Sequence, residues 1–124
     1  MEAFEVHCDC GTLIAYQGEH IGFQMCISPR CGGITDPDKI EVMIRMARVN
    51  VMKFDIGSEP EGVTVATDEC GYISFMIDDN VSKKLLPGDY FMSFRITQNG
   101  MSIETNIQKV FTLLPSKMEP EITE

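Results

Sequence analysis

Tyr90-Phe91-Met92-Ser93-Phe94-Arg95-Ile96-Thr97-Gln98-Asn99-Gly100-Met101-Ser102-Ile103-Glu104-Thr105 is the stretch that decides the fold class. Tyr90, Met92, Phe94 and Ile96 alternate with Phe91, Ser93, Arg95 and Thr97, and a period of two marks a strand that buries one face. Asn99-Gly100 then suits the centre of a type I′ turn, where both residues need positive φ. The pattern predicts an antiparallel hairpin with strands over 90–98 and 101–113. On its second strand Ile103, Thr105, Ile107, Phe111 and Leu113 share a face.

Working outward, the same alternation recurs. Ile21, Phe23, Met25 and Ile27 form one set, and Ile40, Val42, Ile44 and Met46 a second. Met52, Phe54 and Ile56 form a third, and Ile73, Phe75 and Ile77 a fourth. Turn signals separate them: Gly32-Gly33, Asp36-Pro37-Asp38, Gly57-Ser58-Glu59-Pro60, Cys70-Gly71 and Pro87-Gly88-Asp89. One segment breaks the rhythm. Asp78-Asp79-Asn80 supplies N-cap residues, Lys83-Lys84 a basic end and Pro87-Gly88 a stop, which predicts a short helical turn. Roughly eight short strands without a βαβ rhythm predict an all-β, immunoglobulin-like antiparallel sandwich. The chain has no Trp, so the Cys–Trp–Cys core of antibody domains is absent. Residues 1–114 read as one domain and 115–124, rich in Pro and Glu, as an extended arm.

The 124 residues carry 19 acids against 10 bases, a formal net charge of −9. That balance repels phosphate backbones and anionic lipid, so neither nucleic acid nor a membrane is expected as a partner. No run approaches the ~20 apolar residues that span a bilayer. The acidic start Met1-Glu2-Ala3-Phe4-Glu5 lacks the basic and apolar regions of a secretory signal, so maturation in a cytoplasm is expected.

Five cysteines, an odd number, argue for thiols and not for a disulfide framework. Cys8, Cys10, Cys26 and Cys31, beside His7, are the zinc candidates. Cys-x-Cys is a poor zinc knuckle, however, and two such thiols on a strand stand about 6–7 Å apart. Small buried hydrophobes are the expected role, and no cofactor is expected. Cys70 has no assigned role. A Cys–His nucleophile is disfavoured because His7 and Cys8 are neighbours on a strand and point to opposite faces. The paired carboxylates Asp36/Asp38 and Asp78/Asp79 sit at turns, where Asp caps its own backbone. The expected role is therefore binding and not catalysis. Met43, Phe91 and Met101 alternate onto predicted outward faces, and with Pro115, Met118 and Pro120 of the arm they are the candidate contact residues.

Two stretches carry a family resemblance. Tyr16-Gln17-Gly18-Glu19 leads into Ile21-Gly22-Phe23, and Gly71-Tyr72-Ile73-Ser74-Phe75 is followed by a helical turn, Leu86-Pro87-Gly88-Asp89-Tyr90 and the Asn99-Gly100 hairpin. Together they resemble the N-terminal immunoglobulin-like domain of tailed-phage baseplate upper proteins, over Leu13 to Pro115. The resemblance implies a non-enzymatic virion protein that joins neighbouring virion proteins, often within a homo-oligomer, made in the host cytoplasm. It supplies no catalytic residues and leaves tail, baseplate, neck and capsid positions open. The Cys-bearing N-terminal strand departs from that pattern, as does the absence of a coiled or receptor-binding extension. A cellular metal- or carbohydrate-binding sandwich is the alternative.

Overall fold

The computed structural model describes residues 4–8, 13–29, 39–67, 72–98 and 100–116, for 4–8 and 27–29 the backbone alone. Its elements run β1 (Phe4–Cys8), β2 (Ile14–Tyr16), β3 (Ile21–Pro29), β4 (Lys39–Met46), β5 (Val49–Asp55), β6 (Val63–Thr67), β7 (Tyr72–Ile77), α1 (Asp79–Ser82), β8 (Gly88–Gln98), β9 (Met101–Glu104) and β10 (Gln108–Leu114). One sheet has the order β1-β3-β7-β6. The other has β2-β10-β8-β4-β5, with β9 also on β8. Only β2, parallel to β10, departs from antiparallel pairing among these ladders. The first order is A-B-E-D of the immunoglobulin scheme, and β4-β8-β10 is its C-F-G. The fold is an immunoglobulin-like β-sandwich.

The predicted alternation is what fills the space between the sheets. Ile21, Phe23 and Met25 on β3 and Ile73, Phe75 and Ile77 on β7 are buried. They meet Val42, Ile44, Tyr90, Met92, Phe94 and Ile96 from the opposite sheet. An aromatic chain crosses the gap: Tyr90 stacks on Phe111 at 4.9 Å, Phe111 meets Phe23 at 5.8 Å, Phe23 stacks on Phe75 at 5.2 Å and Phe75 meets Phe94 at 6.1 Å. Contacts at these separations each add about 0.5–1.5 kcal/mol to the burial itself. The Tyr90 hydroxyl donates to the Leu86 carbonyl four residues upstream. This bond at the start of the F strand is the tyrosine corner of immunoglobulin-like sandwiches. Met92, fully buried, stands two residues on, where antibody domains carry a half-cystine.

The predicted helical turn is α1. The Asp78 carboxylate accepts from the Val81 amide at 2.9 Å and caps it. Ser82, fully buried, locks α1 to the β2–β3 turn. Its hydroxyl donates to the Glu19 carbonyl at 2.6 Å and accepts from the Gly18 amide at 3.0 Å. Gln17 adds a bond from its Nε2 to the Leu85 carbonyl, 2.7 Å.

Three expectations need correction. The second hairpin strand is not continuous: Thr105, Asn106 and Ile107 leave the ladder between β9 and β10. Thr105 takes over the bonds of Phe94, its amide donating to the Phe94 carbonyl at 2.8 Å and its Oγ1 accepting from the Phe94 amide at 2.9 Å. Ile107 is therefore 50% exposed instead of sharing the core face. A register shift between Lys109 and Phe111 then turns both Val110 and Phe111 inward. Met43, expected outside, is 4% exposed. It lies mid-sheet between Lys53 and Ser93, with Glu41 and Arg45 two residues away on its own strand, positions from which the aliphatic stems of long charged side chains can cover an apolar neighbour.

Candidate interaction surface

The two outer faces of the sandwich differ in chemistry. On the larger sheet, cross-strand neighbours form a lattice of ion pairs. Arg95 bonds Glu104 at 2.7 Å and stands 3.7 Å from Glu41, which is 3.8 Å from Lys53. Lys39 faces Asp55 at 3.6 Å. The hydrogen bond from Arg95, with its charge, holds the Glu104 carboxyl below its ordinary range. At the sheet's other end Thr112 Oγ1 donates to Asp89 at 2.7 Å and Lys109 stands 3.3 Å away. These two partners, Thr112 first, lower the Asp89 carboxyl. The pairs exposed on both sides, Arg95–Glu104, Lys39–Asp55 and Lys109–Asp89, contribute little stability, since solvent screens them. Their effect is to carpet the face with fixed charge.

The smaller sheet is different. Gly22, Gln24 and Cys26 on β3, Tyr72, Ser74 and Met76 on β7, and Thr64 and Ala66 on β6 lie in register on its outer face. None of these is charged. Tyr72 is 39% and Met76 44% exposed.

The sheet borders carry the sharper contrast, because an edge strand presents unpaired N–H and C=O groups and natural edges are normally guarded. β2 has three residues, and β9 has four with Glu104 among them. β5 carries Lys53 and Asp55, and its register with β4 shifts at Ile44/Arg45. Only β7 pairs with β6 among the described residues, so its far side is open. The β6 sequence Val-Thr-Val-Ala-Thr has no charge, no Pro and no register shift against β7.

Which groups face outward can be worked out. The Asp78 amide donates to the Gly62 carbonyl at 2.9 Å, so Gly62 and Asp78 form a hydrogen-bonded pair. Antiparallel pairs alternate between bonded and non-bonded. Thr64 and Ala66 therefore bond β7, while Val63, Val65 and Thr67 turn their backbone groups outward. Consistently, the Val63 amide bonds the Pro60 carbonyl at 3.1 Å on the side away from β7. The amides and carbonyls of Val65 and Thr67 and the carbonyl of Val63 form the open edge. Sequence reasoning did not mark β6. Its signal was the run Val63-Thr64-Val65-Ala66-Thr67 directly after Gly62, four of whose five residues are β-branched.

A cleft of about 380 Å³ lies at the N-terminal end of β6, lined by Glu61, Gly62, Asp78, Asn80, Val81, Lys83 and Lys84. Asp78 is engaged as the cap of α1, and among the described residues no His, Cys, Ser or Tyr lines the cleft.

Of the sequence candidates, Met101 is 56% exposed, Pro115 is exposed, Phe91 is half-buried and Met43 is covered. They form no common patch: Phe91 pairs with Arg45 mid-sheet, whereas Met101 sits at the hairpin tip. Met118 and Pro120 lie outside the described residues, as do Cys10 and Cys31. Register places Cys8 opposite Met25 and His7 opposite Cys26, so Cys8 and Cys26 occupy positions of opposite sheet faces. No group of three or more potential metal ligands gathers among the described residues. No helix among them is long and apolar enough to cross a membrane.

No family model matches the chain, and no curated protein matches its sequence. Solved structures do resemble it in shape. The titin M3 domain is 12% identical over 93% of this chain and 100% of that one, with a TM-score of 0.44. A titin tandem of Ig domains is 11% identical over 92% of this chain and 50% of that one, TM-score 0.49. The endo-β-1,4-mannanase from Thermotoga petrophila is 10% identical over 94% of this chain and 21% of that one, TM-score 0.54. The chain thus spans half of the titin tandem and about a fifth of the mannanase. Likeness at such low identity speaks to the fold alone.

Proposed function

We propose that this chain is a non-enzymatic adaptor that joins a neighbouring protein by accepting an extended segment of it as an additional strand on β6. The observation that carries this reading is the open backbone edge of Val65 and Thr67, uncharged and unbulged, on a sandwich whose other described borders are β2 and β9, of three and four residues, β5, charged and shifted in register, and β1, which carries Glu5 in its sequence. Strand addition takes affinity from main-chain hydrogen bonds and specificity from alternate side chains. Here the added strand would extend the uncharged face formed by Thr64, Ala66, Tyr72, Ser74 and Met76. The motifs shared with baseplate upper proteins extend the proposal to a setting: a tailed-phage virion, with other virion proteins as the neighbours.

Amide hydrogen exchange tests it. In the isolated chain the Val65 and Thr67 amides should exchange on the order of a hundredfold or more faster than those of Thr64 and Ala66, which open only with the ladder. A peptide of alternating Val and Thr should protect the first two selectively. Equal protection of all four amides in the isolated chain would mean the edge is already covered, and would remove the proposal.

A further inference from the structure

We infer that the segment accepted on β6 comes from a different protein, runs antiparallel to β6 and is amphipathic: every second residue, the ones whose own N–H and C=O bond β6, carries an apolar side chain. This rests on the strand-addition reading above and adds the chemistry of the partner. The two sheets end together on this side of the sandwich. β6 is the border of the smaller sheet and β5 that of the larger. β1 packs against β10 at the opposite side, and residues 56–62 join β5 directly to β6. Register shows which residues of the two borders point inward. Met52 and Phe54 stand opposite Ile44 and Val42 of the core, and the Ile56 amide bonds the Ile40 carbonyl at 2.9 Å, two residues further along. On β6, Val63, Val65 and Thr67 stand opposite Ile77, Phe75 and Ile73.

The cover over these inward residues runs out at the border. Val63 is buried, Val65 half-buried and Thr67 exposed. Met52 and Ile56 are also only half-buried, although both pack against the core. Inward residues of the inner strands, such as Met25, Phe75 and Phe94, are buried. Residues directly opposite in an antiparallel pair share a face. The partner residues bonded to Val63, Val65 and Thr67 would therefore point inward, over the flank of Val65, Met52 and Ile56. An apolar side chain gains from burial there, whereas a charged one loses hydration. The residues between them would lie beside Thr64 and Ala66 on the uncharged outer face. The antiparallel sense follows the sheet itself, whose described ladders are all antiparallel, the pairing that is more stable per residue.

A second copy is the poorer occupant. Two chains of net charge −9 repel one another. Pairing two β6 strands about Val65 would also set each Thr67 carbonyl against a Val63 amide that Pro60 already holds.

The test uses the full chain and a capped Ser-Val-Ser-Val-Ser-Val-Ser peptide in two forms, N-methylated either on the valines or on the serines. A methylated nitrogen cannot donate, so in an antiparallel pair the first form can bond β6 only with serine inward and the second only with valine inward. NMR shifts of the Val65 and Thr67 amides place the peptide on the edge, and titration gives the affinity. The serine-methylated form should bind about tenfold or more tightly than the other, as expected when two or three half-covered positions change from hydroxyl to apolar. That gap should narrow in Met52→Ser and in Ile56→Ser, with circular dichroism confirming that each folds. A gap unchanged in both variants overturns the flank as its cause. Equal affinities of the two forms at Val65 and Thr67 overturn the apolar alternation and leave the open edge standing. The reverse preference means parallel addition and overturns the pairing. If neither form nor the unmethylated peptide shifts these amides, both readings fall. Protection of Val65 and Thr67 that rises with protein concentration alone makes a second copy the occupant and overturns the inference.

Discussion

Replacing Gly62 by Ala tests the corner from which β6 starts. Gly62 has φ +87°, and a Cβ there would stand 2.5 Å from Val81 Cγ2 and 2.8 Å from Asp78 Oδ1. Gly18 has nearly the same φ, +86°, but a Cβ added there meets nothing within 4 Å. The two Gly→Ala variants thus share the backbone term, about 1–2 kcal/mol for an L-residue in the left-handed region, and differ in the steric one. Carbon atoms pack at about 3.5–4.0 Å, so Gly62→Ala must displace α1 by roughly an ångström, at an overpacking cost of about 1–3 kcal/mol. Asp78 Oδ1 is also the acceptor that caps α1, and loss of a cap costs about 1 kcal/mol. Gly18→Ala should therefore lose about 1–2 kcal/mol and Gly62→Ala about 3–6 kcal/mol. The larger loss is a large share of the roughly 5–15 kcal/mol that holds a domain folded. Urea denaturation with linear extrapolation reads both values. Adding Val81→Ala to Gly62→Ala should recover about 1 kcal/mol or more, because residues in contact are not additive. If the two glycine variants agree within about 0.5 kcal/mol, at the limit of additivity for independent sites, the packing of α1 against the start of β6 is wrong as described.

Thr105→Val keeps the shape of a fully formed core neighbour but deletes the acceptor of the buried Phe94 amide. It should lose about 1–3 kcal/mol in the same denaturation assay, with Thr105→Ser recovering most of it; a neutral Thr105→Val would show that the Phe94 amide has another acceptor. Acid should weaken the larger sheet's ion pairs. The Glu104 and Asp89 carboxyls are lowered in the folded chain from ordinary values of 4.5 and 3.8. Their stabilising contribution is thus present above those values and is lost as pH falls through the lower folded ones. Carbon-detected NMR titration should find both midpoints below the ordinary values, and unshifted midpoints would contradict the pairing with Arg95, Lys109 and Thr112.

The contrast between the borders explains why one edge carries the proposal. Lys53, Asp55 and the register shift on β5 discourage pairing by charge and by twist, whereas β6 offers neither obstacle. Ser82 and Gln17 hold the α1 corner to the β2–β3 turn, so the strand is presented from a fixed platform. A partner meeting a preordered edge loses less entropy on binding than one that must order it.

What the sequence by itself determined lies within a few residues' reach. The alternation of Tyr90, Met92, Phe94 and Ile96 told inward from outward, Asn99-Gly100 told where the chain reverses, and Asp78 told where α1 begins. Each is a local preference of φ, of side-chain direction or of capping. The tertiary structure decided the rest. Whether an outward residue meets water depends on neighbours distant in the chain: Met43 is covered because Lys53 and Ser93 arrive beside it. Whether a strand is interior or a border depends on sheet order, so the short run Val63–Thr67 could not be recognised as an open edge from its own residues. The Thr105–Ile107 break likewise exists because Thr105 is positioned to satisfy Phe94 across the hairpin. Local periodicity states the direction of a side chain; only the packed sheets, tied by bonds such as Gln17 to Leu85 across 68 residues, state what stands there.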